Sequence, residues 1–361
     1  MNSLKQLTLI LFTTILIFLI IDYFFGKKIE KLIKITDDEK VYRIENAYFH
    51  HGFLKNYSTN KARWGNKFYK FCSDHNGFKY DCVSNYESDF DFAFIGDSMT
   101  EAIGLEYEDT FVGMFKKFTK LRVANLGVSS YSPNLYKNKV IHLIENDIIR
   151  FKHLVVSVDF GDLYDDRSYN KNYLSKEKSV QDDDKKYHQY NLISRTIHKT
   201  KFFLKNNFIF TDYLLRQIWW LGLRNLFSNH SDHYISYNNP RSSWGYDDNY
   251  LNNEDLKFMI ENMLELSLYL KKKDIKFTLM IYPHPASILY DSKSSTYKKT
   301  WEKFCISNCD YFVDSFSPFF DLKKNNNEII DKYYINGDVH FNKDGNKFLF
   351  NQIINILNYS N

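Results

Sequence analysis

Between residues 90 and 357, short apolar runs alternate with amphipathic stretches, and this alternation restricts the chain to few architectures. FDFAFIG (90–96), LRVANLG (121–127), HLVVSV (153–158), FTLMIY (277–282) and YFV (311–313) have the composition of buried strands. Helical spacing occupies 107–118, 133–149, 297–306 and 342–357, and it is clearest over 253–272, where Leu256, Met259, Ile260, Met263, Leu266 and Leu270 recur on one face. Strand and helix in alternation imply right-handed crossovers and a parallel sheet covered on both sides. The expected fold is α/β: a three-layer α/β/α sandwich around a parallel sheet of about five strands. A polar, aromatic stretch at about 165–250 interrupts the pattern and reads as an insertion.

Residues 7–25 (LTLILFTTILIFLIIDYFF) carry one charge, Asp22, near their end. As a helix they would measure roughly 28 Å, close to the thickness of a bilayer's hydrocarbon core. No small-residue cleavage site follows, so the expectation is an uncleaved transmembrane anchor after a short cytoplasmic tail, residues 1–6. Residues 26–88 are polar and aromatic without a strong period, and are expected to form a juxtamembrane stalk before a domain at 89–361.

Two features oppose each other on orientation. Lys27, Lys28, Lys31, Lys34 and Lys40 follow the apolar segment while Lys5 precedes it, which by charge alone would keep the large domain in the cytoplasm. The four cysteines occur as two close pairs, Cys72 with Cys82 and Cys305 with Cys309, the pattern that local disulfides leave in an oxidising compartment. Neither pair has zinc-site C-x-x-C spacing. The cysteines favour an extracytoplasmic, periplasmic domain.

In an open parallel sheet, reactive groups gather at the carboxyl ends of the strands. The first strand ends in Gly96-Asp97-Ser98-Met99-Thr100-Glu101. A serine at such a turn can present both a nucleophilic hydroxyl and a backbone N–H to one pocket, although Gly-Asp-Ser is also an ordinary helix cap. Near the C-terminus, Gly337-Asp338-Val339-His340-Phe341-Asn342 precedes the last helix. There Asp338 can orient His340, and His340 can take the serine proton.

Together these blocks resemble the SGNH (GDSL-type) hydrolase superfamily, from about residue 90 to the end. Phe94-Ile95-Gly96-Asp97-Ser98 matches its first block, Asn125-Leu126-Gly127 its second and Asp338-Val339-His340-Phe341-Asn342 its last. The resemblance implies a flavodoxin-like sandwich, Ser98 as nucleophile, His340 as base, Asp338 as the acid that orients it, and the N–H groups of Ser98 and Gly127 as oxyanion donors. Asn125 to Pro133, with Ile281-Tyr282-Pro283-His284-Pro285, further resembles a membrane-anchored bacterial branch associated with cell-surface polysaccharides. Two departures stand out. The family's third block ordinarily ends in an Asn that completes the oxyanion hole; Gly161 in Val158-Asp159-Phe160-Gly161-Asp162 takes that place here, the third oxyanion-hole position beside Ser98 and Gly127 but without the Asn side chain. The usual Asp-x-x-His is Asp-x-His, as in members that acetylate exopolysaccharides.

The implied activity is a serine esterase or acyltransferase working on ester-linked acyl groups, foremost O-acetyl, of an envelope glycan. A membrane acyl-donor protein is a conceivable partner. The alternatives are a catalytically impaired glycan-binding or assembly protein, suggested by the missing Asn, and a lipase or thioesterase at the membrane surface. Basic and acidic residues, 48 and 44, are interspersed without a basic stripe, which argues against nucleic acid. No Gly-rich phosphate loop occurs, so no cofactor is expected, and no metal. His230-Ser231-Asp232-His233 and Asp182-Asp183-Asp184 read as exposed polar loops. Trp219, Trp220 and Trp244 could stack on sugars but fit core or membrane-surface packing better, and His284 reads as part of a turn.

Overall fold

The computed structural model describes residues 2–36, 39–64, 67–83, 87–174, 208–218, 237–239, 241–250, 253–322 and 324–358. The chain divides into two compact units, Met1–Asp38 with Ser175–His230, and Glu39–Leu174 with Ser231–Asn361.

The first unit contains a helix over Asn2–Thr36 and a second over Ile209–Ile218. Asp22, the one charge of the apolar segment, is buried and accepts hydrogen bonds from Thr211 N (2.8 Å) and Thr211 Oγ1 (2.6 Å). Phe18 and Phe25 pack on Phe208 and Phe210 at ring separations of 5.9 and 5.3 Å. Along the same helix Phe12, Ile17 and Phe24 remain exposed. The helix forms as expected, but among the described residues no helix is long and apolar enough to cross a membrane. The expected transmembrane anchor at 7–25 is thus met only as a helix, one that buries its charge against a partner helix.

The second unit is built on a five-stranded sheet. Strands β1 (Arg43–Asn46) and β2 (His50–Phe53) form one hairpin, β3 (Ser58–Trp64) and β4 (Lys67–Cys72) another. The sheet follows, with β5 (Asp89–Gly96), β6 (Val123–Asn125), β7 (Arg150–Val158), β8 (Lys276–Ile281) and β9 (Tyr311–Asp314) in the order β6-β5-β7-β8-β9, every pair parallel. All five apolar runs picked out from the sequence are these strands.

The period-two pattern of the strands explains the layers. Ala93, Ile95, Leu154, Val156, Leu279 and Ile281 face one core with the helices Pro133–Glu145, Asn253–Lys272 and Thr296–Asn308. Their neighbours Phe92, Phe94, Val155, Met280 and Val313 face a second core with Phe111–Thr119, Asn326–Tyr333 and Lys343–Ile356. Because β5 has β6 on one side and β7 on the other, successive crossovers leave it in opposite directions. That opens a crevice at its carboxyl end, where Ser98 lies.

Residues 39–83, expected as a stalk, belong to the same compact unit as the sheet. In the first core Tyr42 stacks on Phe71, and Phe53 meets the Phe71 ring edge to face. The fully buried Lys79 donates to the carbonyls of Glu101 (2.9 Å), Ala102 (3.0 Å) and Leu105 (2.7 Å), and Arg43 pairs with Glu101 at 2.7 Å. Both cysteine pairs are disulfides, Cys72–Cys82 closing this segment and Cys305–Cys309 the end of the Thr296–Asn308 helix.

Candidate active site

Four loops leave the carboxyl edge of the sheet or return to it, and each opens in the same way. An Asp or Asn side chain accepts the backbone N–H two residues on, a short-range device that fixes a turn without help from the rest of the fold. Asp97 takes Met99 N (2.9 Å), Asn125 takes Gly127 N (3.0 Å), Asp159 takes Gly161 N (2.5 Å) and Asp338 takes His340 N (3.2 Å). The first of these turns starts the Ser98–Glu101 helix, with Asp97 as its N-cap. The helix-cap reading of Gly-Asp-Ser and the reactive-serine reading therefore describe the same residues.

Ser98, His340 and Asp338 come together across 242 positions of sequence. His340 Nε2 lies 2.8 Å from Ser98 Oγ, and His340 Nδ1 lies 2.6 Å from Asp338 Oδ1. The second oxygen of Asp338 accepts the indole N–H of Trp64 at 2.6 Å, and the Trp64 ring meets the imidazole edge to face at 5.0 Å. Burial pushes the Asp338 carboxyl up, but its hydrogen bond to His340, the imidazole's charge and the Trp64 N–H together hold it below the usual range. Asp338 thus stays ionised and fixes the proton of His340 on Nδ1, leaving Nε2 free to accept from the serine. Trp64 ends β3, in the stretch expected to be a stalk, where sequence periodicity offered no sign of a role.

A second group of side chains flanks Ser98. Asp97, Asp159 and Asp162 are buried, with carboxylate oxygens within 4.8 Å of one another. Burial, then the neighbouring Asp159, raises Asp97 well above the ordinary carboxylate range, and burial with Asp97 does the same to Asp162. Asp159 goes the other way. Burial raises it, but the imidazole of His284, 2.6 Å away, and the Gly161 N–H outweigh that and hold it low. The negative charge therefore favours Asp159, and all three carboxyls are already served by donors: Tyr136 Oη on Asp162 at 2.9 Å, His284 on Asp159, and Met99 N on Asp97. The set is a proton-sharing network more than a cation cage. Ser98 Oγ also lies within donating distance of Asp97 Oδ2, at 3.3 Å a longer contact than its 2.8 Å approach to His340 Nε2.

The two glycines expected at the oxyanion hole, Gly127 as a donor and Gly161 in the place of the family's Asn, both have their amides engaged. Gly127 N–H is taken by Asn125 and Gly161 N–H by Asp159, and a backbone amide has one proton to give. Gly127 serves close packing instead: a Cβ there would sit 2.7 Å from Glu101 N and 2.8 Å from Thr100 Cβ, so only glycine lets its loop pass the Ser98 helix. At Gly161 a Cβ would meet Asp159 Oδ1 at 2.8 Å and Arg241 Nη2 at 2.9 Å. The Asx-x-Gly pattern of Asn125–Gly127 and Asp159–Gly161 is the sequence signal that foretells both engaged amides. The Ser98 N–H, at the first position of a helix, has no helical acceptor.

Of the remaining sequence expectations, Trp244 is fully buried and donates to Phe160 O at 2.8 Å, so it is core and not a sugar platform. His284 is buried against Asp159 beneath the site. Trp219, Trp220, His230 to His233 and Asp182 to Asp184 lie outside the described residues.

No protein-family model matches the chain, and no curated protein does. Among solved structures it is similar to a catalytic mutant of Axe2, an acetylxylan esterase from Geobacillus stearothermophilus, at 13% identity and a TM-score of 0.39, covering 77% of this chain and 98% of that one. It is also similar to a GDSL-like lipase from Bacteroides thetaiotaomicron, at 11% identity and a TM-score of 0.36, covering 74% and 86%. A third, TesA, shares 10% identity at a TM-score of 0.38, covering 73% and 94%. Likeness at this level identifies neither an activity nor a substrate for the chain.

Proposed function

We propose that the chain is a serine esterase or acyltransferase of the SGNH type, acting on ester-linked acyl groups, foremost O-acetyl, of a cell-envelope glycan. The observation that carries the reading is the continuous relay Trp64–Asp338–His340–Ser98 at the mouth of the sheet's crevice, with every link between 2.6 and 2.8 Å. In the proposed step Ser98 Oγ attacks the acyl carbonyl carbon and its proton passes to His340 Nε2. The carbonyl π pair moves onto oxygen. Collapse of the tetrahedral intermediate breaks the bond to the leaving sugar oxygen, which takes the proton from His340. Water or a second hydroxyl then removes the acyl group by the same sequence in reverse. Whether water or a sugar arrives first decides between hydrolysis and transfer.

The proposal places this domain outside the cytoplasm, supported by its two disulfides. It assigns the exposed apolar side chains of the Asn2–Thr36 helix to contact with lipid.

One observation favours the impaired, glycan-binding alternative: both glycine amides expected in the oxyanion hole are engaged elsewhere. Incubation with an O-acetylated oligosaccharide, with and without a deacetylated acceptor, separates the readings. Release of acetate supports esterase action, and acetylated acceptor supports transfer. An unchanged substrate with measurable binding would favour the impaired alternative.

A further inference from the structure

The segment at 241–245 is anchored beside the end of β7 and delivers a cation there. Trp244 Nε1 donates to Phe160 O at 2.8 Å, and Gly245 packs so tightly on the Phe160 ring that a Cβ would come within 2.4 Å of it. Asn239 Oδ1 holds the Arg241 backbone N–H at 3.0 Å. From this fixed loop Arg241 reaches over Gly161, its Nη2 and Nε 2.9 and 3.0 Å from the point where a Cβ of residue 161 would stand. Nη2 also meets Asp165 Oδ2 at 2.5 Å, and Tyr164 lies against the guanidinium carbon at 5.5 Å. Among the described residues its other guanidinium N–H groups carry no hydrogen bond, and the side chain is 38% exposed, open to a ligand.

The topology brings this cation to Ser98. Strands β5 and β7 are parallel neighbours with Gly96 paired to Ser157, so Ser98 and Gly161 leave the same edge side by side. The charge of Arg241 is felt at Asp97, the residue before Ser98. Of the acids around it Asp165 is its direct partner, Asp159 is already engaged by His284 and the Gly161 N–H, and burial pushes Asp97 and Asp162 toward their neutral forms. With one N–H on Asp165, the guanidinium keeps further N–H groups to offer.

We propose that Arg241 is a catalytic residue of the serine-ester chemistry, its free guanidinium N–H groups receiving the oxyanion that forms when Ser98 Oγ adds to the acyl carbonyl, in the space left by the absent side chain at Gly161. This rests on the esterase or acyltransferase reading above. A planar, permanently charged donor suits an oxygen that becomes anionic, and a positioned donor of this kind contributes about 10²–10³ in rate.

The test compares turnover of a small aryl acetate and the second-order rate of labelling by a fluorophosphonate in four full-length variants. Arg241→Met should slow both by about 10²–10³ with KM changed less than about threefold. Because that variant orphans Asp165, Arg241→Met/Asp165→Asn removes the stranded charge and should stay as slow. Gly161→Asn in the Arg241→Met background should recover part of the loss by putting an amide where the guanidinium was. Native rates in Arg241→Met, or recovery on adding Asp165→Asn, would overturn the proposal and leave Arg241 a structural counter-ion. Ser98→Ala tells the two readings apart: activity that survives it removes the serine mechanism, whereas activity lost there but kept in Arg241→Met removes Arg241 alone. A native protein that is neither labelled nor active overturns both.

Discussion

The two sides of Ser98 are built by opposite means. On the base side, His340 and Asp338 sit two residues apart in one loop, and a single distant residue, Trp64, completes the set. On the acid-rich side, Asp97, Asp159, Asp162 and His284 come from three separate segments, and Arg241 from a fourth. The base side places an ionised carboxylate beside an imidazole and leaves one oxygen for one more donor. The other side buries several acids together, so burial and mutual repulsion discharge all but Asp159 and the Arg241-paired Asp165. The contrast teaches that proton transfer here depends on a local motif, whereas the charge balance facing the acyl oxygen depends on tertiary assembly.

The largest effect should come from the atom both sides share. Ser98→Ala is expected to lower ester turnover by about 10⁶, with an unchanged thermal midpoint. Asp338→Asn tests the base side alone. It keeps the shape but removes the charge that fixes the His340 tautomer, and should cost about 10⁴ in kcat, read from steady-state kinetics.

Trp64→Phe is the next step down. It retains the aromatic edge against His340 and removes only the N–H on Asp338, a bond to a charged acceptor worth about 1.5–3 kcal/mol, so kcat should fall roughly 10- to 100-fold with KM nearly constant. A Trp64→Phe enzyme with native kcat would return residues 39–83 to a purely supporting role.

The smallest effect concerns the packing behind Gly127. Lys139 is buried, donates to Leu126 O at 2.9 Å and is held by burial at about 7, as Lys79 is at about 8. Unfolding returns both to an ordinary lysine value near 10.4, so above pH ~7 the unfolded chain binds more protons and stability rises with pH up to about 10. Lys139→Met removes one of the two contributions. Urea midpoints measured at pH ~7 and ~9.5 should therefore differ less in the variant than in the native protein.

Much of this arrangement is legible in the sequence, because strands buried on both faces must be continuous apolar runs. The runs at 90–96, 153–158 and 277–282 coincide with β5, β7 and β8 to within three residues. Ser98, Asp338 and His340 were readable because each sits where a strand or helix ends, and the topology dictates which ends meet. Trp64 was not, since a hairpin residue with no periodic context gains its role only from a partner 274 positions away. Arg241 was not either: it lies in a polar stretch whose composition favours no element, and its place over Gly161 follows from Trp244 and Gly245 packing on Phe160. Replacing Gly161 by Asn meets the same packing. Its Cβ would press on Arg241 and Asp159, so in the native background the substitution should bring no gain.

The most direct measurement of the central claim is to mix the native protein with an activated acetyl ester, quench with acid within the first turnovers, and locate the label by peptide mass spectrometry. The account predicts one acetyl group per chain, on the peptide containing Ser98, formed in the native protein and absent from Ser98→Ala. Turnover without any acetylated serine, or an acetyl group on another residue that persists in Ser98→Ala, would contradict it.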